Sequence, residues 1–90
     1  MAGPHYIADP PELLRRVELD GLTALFHVPS GMTHVVAPPA PQILDALSEG
    51  PADIAGLWRR LSATFEMEGG TAALGARLDE LEAAGLVRRA

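Results

Sequence analysis

From Leu13 to Leu19 the chain alternates with a period of two. Leu13, Arg15, Val17 and Leu19 fall on one side of a strand and Leu14, Arg16 and Glu18 on the other, so a mostly apolar face opposes a mostly polar one. Asp20-Gly21 follows. Both central residues of a type I′ turn need positive φ, which Asp-Gly tolerates, so a hairpin is predicted here. A second strand, 22–28, sets Leu22, Ala24, Phe26 and Val28 against Thr23, Leu25 and His27. Pro29-Ser30-Gly31 makes the next turn, and the β-branched run Met32–Ala37 makes a third strand. The result is a three-stranded antiparallel meander whose last strand is a candidate free edge.

At about Ala37 the period changes to that of a helix. Pro38, Pro39 and Pro41 mark the passage, since proline is tolerated in a first helical turn. Ile43, Leu44 and Leu47 form an apolar stripe, and Gly50-Pro51 stops it. Asp53 stands where an N-cap belongs. The helix after it carries Ile54, Leu57, Trp58, Leu61 and Phe65 at spacings of three and four, a core-facing stripe. Gly69-Gly70 breaks this helix, Thr71 is placed to cap a third one with Leu74, Leu78 and Leu81, and Gly85 ends it. Leu86-Val87 is free to fold back on the body. Residues 1–12 hold Gly3, Pro4, Pro10 and Pro11 and read as a flexible N-terminal arm, which leaves residues 13–90 as the domain. The fold class is α+β: three antiparallel strands, then three helices, around one core.

Composition narrows the function more than the fold. A chain of 90 residues supports one modest core. Without cysteine there is no disulfide, thiolate nucleophile or cysteine-ligated metal. The net charge of −5 weighs against phosphate binding, and the pairs Arg15-Arg16, Arg59-Arg60 and Arg88-Arg89 read as solvated surface. No apolar run is long enough for a membrane span, and Met1–Asp9 lacks the basic and apolar regions of a secretory signal. A soluble cytoplasmic chain is therefore expected.

Catalytic constellations are sparse. His27 and His34 flank one hairpin and His5 lies in the arm, but two imidazoles without a third ligand make a poor zinc site. They read as surface or edge histidines. No glycine-rich phosphate loop is present, and Ser30 and Ser48 lack the setting of an activated serine. Asp79, Glu80 and Glu82 read as an outward acidic face, and Trp58 as core. Neither metal nor cofactor is expected, nor enzymatic activity. What remains is a short sheet with a candidate open edge beside an apolar helix, a receptor for an extended peptide.

One resemblance gives that edge a meaning. The stretch from Phe26 through His27-Val28-Pro29-Ser30-Gly31-Met32-Thr33-His34-Val35-Val36-Ala37 to Pro38, then Ala40, Ile43-Leu44 and Gly50-Pro51, resembles the PqqD-like family. The closing segment, Leu78 to Gly85-Leu86-Val87, is similar to that family's last helix and its Gly-Leu-(Ile/Val) end. The Thr33-His34 pair points to the subgroup found beside HPr-kinase-related proteins. The likeness covers residues 13–88.

It implies a winged-helix-like fold and a non-catalytic peptide chaperone. Such a domain binds the leader of a ribosomally made precursor peptide by strand addition and presents it to a modifying enzyme, here an HPr-kinase-related one. By position, the pairing edge is Thr33, His34, Val35 and Val36, and the facing helix offers Leu74, Arg77, Leu78 and Leu81. Some of those leucines must hold the core instead. Arg77, the one cation on that helix, is a candidate partner for an acidic leader residue. The family's usual Asn before the first helix is Ala37 here, so the helix is expected to start late, near Ala40 or Pro41. Two other readings compete. One is a winged-helix DNA-binding regulator, the other a small structural subunit that homodimerises through the same sheet edge.

Overall fold

A computed structural model of the chain describes residues 3–89. Three strands form the meander: β2 (Leu14–Leu19), β3 (Leu22–His27) and β4 (Met32–Val36), in spatial order β2-β3-β4. Their register pairs Arg16 with Leu25 and Leu25 with His34. Asp20 and Gly21, at φ 47° and 83°, form the expected turn. Gly31, at φ 70°, closes the next one, its N–H donating to the His27 carbonyl at 2.9 Å. Three helices follow: α1 (Ala40–Leu47), α2 (Ile54–Ser62) and α3 (Gly70–Ala83). The α+β architecture of three antiparallel strands and three helices is thus as the pattern predicts.

Each helix has a local reason for its ends. The first starts at Ala40 with Pro39 as an N-cap that makes no side-chain bond, the late start expected without the family's Asn. Asp53 Oδ1 accepts the Gly56 N–H at 2.8 Å and caps α2 as predicted. Thr71 does not cap α3. Gly69 takes that position in a left-handed conformation, φ 90°, and an added Cβ there would meet the Ala73 Cβ at 2.7 Å. At its other end Leu86 N–H donates to the Leu81 carbonyl and Gly85 N–H to that of Glu82, both at 3.0 Å, a Schellman closure. Phe65 also departs from expectation: α2 ends at Ser62, so Phe65 lies in the following loop and not on the helical stripe.

The flexible arm needs correction, apart from Met1 and Ala2, which lie outside the described residues. Strand β1 (Tyr6–Ala8) pairs antiparallel with β5 (Val87–Arg89), and Tyr6 exchanges both backbone hydrogen bonds with Ala52. Tyr6 is buried, and Arg89 lies over its ring at 5.6 Å. A single 3₁₀ turn, Pro11–Leu13, leads from this ribbon into β2. Leu25, Ile43, Leu57, Leu61, Leu74, Leu78 and Leu86 are the large side chains fully buried in the core, with Trp58 packed half-buried against it.

The meander presents its more polar face to the helices. Leu14, Thr23, Leu25, His27 and Val36 point inward, while Val17, Leu19, Leu22 and Phe26 are exposed. The polar groups on this face find partners, and Arg16 and Glu18 at its rim also keep contact with solvent, which makes this orientation tolerable. Thr23 Oγ1 donates to Glu18 at 2.9 Å, Arg16 bonds Asp45 of α1 at 3.0 Å, and His27 bonds Asp9.

Candidate functional site

With β3 on one side of β4 and no described strand on the other, its outer edge carries unpaired N–H and C=O groups. The register puts Met32, His34 and Val36 on the inward face and Thr33 and Val35 on the outward one. Between this edge and α3 lies a groove of about 270 Å³, lined among others by Val35, Val36, Pro38, Arg77, Leu81 and Leu86. The Schellman closure turns Leu86 back against α3, where it is buried and lines the groove. A second groove of about 260 Å³ shares Pro38 and Arg77 with the first and adds Phe65, Met67 and Ala73. Arg77 thus stands where the two meet.

The expected site residues divide accordingly. Val35, Val36, Arg77 and Leu81 come together around the groove. Thr33 is exposed on the same edge and His34 half-buried on its inner side. Leu74 and Leu78 are fully buried and belong to the core alone, whereas Leu81, also buried in the core, borders the groove as well. Pro38, Glu80, Ala84 and Leu86 also line the groove and were missed. Gly85 was the available signal, because a left-handed stop brings the next apolar residue back against the helix.

The electrostatics of the groove centre on one guanidinium. An Nη of Arg77 bonds a Glu80 carboxylate oxygen at 3.2 Å, one turn along the same helix face. Its Nε is buried and has no hydrogen-bond partner. The side chain as a whole is 43 % exposed, so a carboxylate arriving along the groove would meet the outer nitrogens of the guanidinium.

A second cluster joins the chain's distant parts. Asp9 Oδ2 bonds His27 Nε2 at 2.6 Å, His27 Nδ1 bonds Ser30 Oγ at 2.8 Å, and Arg88 donates to Asp9 Oδ1 at 3.2 Å. Carboxylate, imidazole and hydroxyl stand in series, yet Ser30 Oγ also accepts the Met32 N–H at 3.3 Å, which ties the hydroxyl into its turn. His27 is therefore no simple surface histidine. His34 sits two register positions away, beside Leu25. Among the described residues no group of three or more histidine, aspartate or glutamate side chains is placed to hold a metal ion.

Most arginines are likewise engaged. Arg60 donates to the carbonyls of Ala46 and Gly50 at 3.1 and 2.7 Å, closing the end of α1, so it departs from the solvated-surface reading. Arg16 pairs with Asp45, Arg88 with Asp9, and Arg89 with Asp79 and Glu82. A phosphate backbone would have to displace these carboxylates. No helix among the described residues is long and apolar enough to cross a membrane.

Searches of protein-family models, curated proteins and solved structures find no match to this chain. The likeness to the PqqD-like family accordingly stands on the residues quoted for it.

Proposed function

We propose that this chain is a cytoplasmic, non-catalytic peptide chaperone of the PqqD-like kind, winged-helix-like in fold, that captures the leader of a precursor peptide. The observation that carries the reading is the groove between the free edge of β4 and α3. An extended peptide adds to β4 as a further strand, its backbone bonding the unpaired groups of that edge. Alternate side chains then point into the groove against Val36, Leu81 and Leu86. Affinity comes from the main chain and selectivity from the groove. An acidic leader residue pairs with the exposed end of the Arg77 guanidinium, forming a charge-assisted bond that a neutral residue would not. The captured peptide is presented to a modifying enzyme, an HPr-kinase-related one in the subgroup this chain resembles.

The test is a titration of isotope-labelled protein with the leader segment of a precursor encoded beside this chain's gene. Amides of Met32–Val36 and side chains of Arg77 and Leu81 are expected to shift first. Arg77→Glu should weaken binding at least about tenfold with the circular dichroism spectrum unchanged, since about 1.4 kcal/mol is lost with one charged hydrogen bond. Shifts confined to another face, or equal affinity of the variant, would overturn the proposal.

A further inference from the structure

The outward face of the meander is apolar and uncovered. Val17 is 56 % exposed, Leu19 53 %, Leu22 44 %, Phe26 37 % and Val35 62 %, and the strand register places all five on one side of the sheet. Taking about 150–200 Å² for each side chain fully exposed, they present on the order of 450 Å² of contiguous apolar surface, the size at which a monomer's largest patch is often functional. The groove beside α3 uses the edge of β4 and the opposite face and shares only Val35 with this patch, so peptide capture does not account for Val17, Leu19, Leu22 and Phe26.

The charges at its two ends indicate what covers it. Arg15 sits on this face, across from Phe26, and Asp20 forms the tip of the hairpin at the opposite end of β2. Neither makes an ion pair among the described residues, whereas most of the arginines do. Five residues of strand separate them by roughly 17 Å. A two-fold axis lying between two such faces and perpendicular to their strands would run the strands antiparallel. Each Arg15 then meets the Asp20 of the other copy while the apolar residues meet one another. An axis parallel to the strands would gather both Arg15 at one end and both Asp20 at the other.

We infer that the outer face of β2-β3-β4 binds a second copy of this chain, face to face and antiparallel, with Arg15 of each copy against Asp20 of the other. The two patches together bury about 900 Å² of apolar surface, and Ala24 at the centre and Arg15 and Thr33 at the margins bring the total to about 1,200 Å², the lower end of specific interfaces. A reversible dimer follows, self-complementary as two-fold symmetry requires, its two sheets stacked as a sandwich. The β4 edges stay free, so the dimer offers two grooves. This inference does not rest on peptide capture, and it differs from pairing through the sheet edge, which would close the grooves.

Sedimentation equilibrium of the full chain tests it. The weight-average mass is expected to rise from 9.5 kDa toward twice that value over about 1 to 300 µM, the range for an interface of this size. Val17→Glu brings two carboxylates into the apolar contact and should weaken association at least about tenfold. Arg15→Glu, at an exposed position, should weaken it several-fold. Mixed with Asp20→Lys, it should recover the association that each variant alone loses in part, because only the mixed pair restores opposite charges at both ends. A constant monomer mass over this range would overturn the proposal, as would undiminished association of folded Val17→Glu. Failure of the mixture to recover association would overturn the antiparallel arrangement. These positions lie on β2 and the hairpin tip, away from the groove, so leader binding by the same variants reports separately on the proposed chaperone role.

Discussion

Asp9→Ala is the most informative single substitution for stability, because one carboxylate holds three segments remote in sequence. It accepts from His27 of β3 at 2.6 Å and from Arg88 of β5 at 3.2 Å, and it follows β1 directly. The two contacts differ in weight. The His27 and Asp9 side chains are 13 % and 22 % exposed, so their bond ranks with partly buried, charge-assisted ones worth about 1.5–3 kcal/mol. Arg88 is 66 % exposed, and such a pair contributes about 0–1 kcal/mol. Truncation also leaves the His27 Nε2 without a partner. The expected loss is about 2 kcal/mol, or roughly 8–16 °C in Tm for a domain of this size. Urea unfolding of Asp9→Ala, His27→Ala and the double variant measures it. The cycle should return a coupling of about 1–2 kcal/mol, with Arg88→Ala nearly silent. Additive single effects, or a loss below about 0.5 kcal/mol for Asp9→Ala, would refute the view that this carboxylate fastens the ends of the chain.

Two glycines near α3 should respond with opposite sign in the same assay. Gly75→Ala should gain about 0.5–1 kcal/mol, since the new Cβ meets Ile54 Cδ1 at an ordinary 3.7 Å and the helix loses a flexible residue. Gly85→Ala should cost about 1 kcal/mol, because φ 81° is strained for alanine even in open space. Leu78→Ala should cost about 2–5 kcal/mol by opening a core cavity, whereas Arg77→Glu one position earlier should affect leader binding and leave the unfolding midpoint within about 0.5 kcal/mol. Asp53→Ala should cost about 1 kcal/mol through loss of the α2 cap.

Elements signalled by short-range chemistry were readable from the chain alone. Asp20-Gly21, Asp53 and Gly85 each act within a few residues of themselves, and each does what its residue type predicts. Strands β1 and β5 carry no such signal. Each has three residues, and each exists only because the other, distant in sequence, supplies its hydrogen bonds. The sheet's orientation is hidden for a related reason. Alternation separates Val17 and Leu19 from Arg16 and Glu18, but which set turns inward depends on partners such as Asp45 and Asp9, which alternation cannot see. In the candidate site, position in the chain pointed to the Thr33–Val36 edge and to Arg77, and the fold brings Val35, Val36 and Arg77 around one groove. That Leu74 and Leu78 serve the core alone, while Leu81 and Leu86 are buried and also border the groove, emerges only from the packing of α3.

The pairing of β1 with β5 joins the two ends of the described chain. Every contact in the meander closes a short loop, so those strands can zip locally and early. The terminal ribbon closes the longest loop in the molecule, and its six residues repay that entropy only after the helices have drawn the ends together. It should therefore form last and open first, making Tyr6–Ala8 and Val87–Arg89 the place where the folded domain begins to come apart.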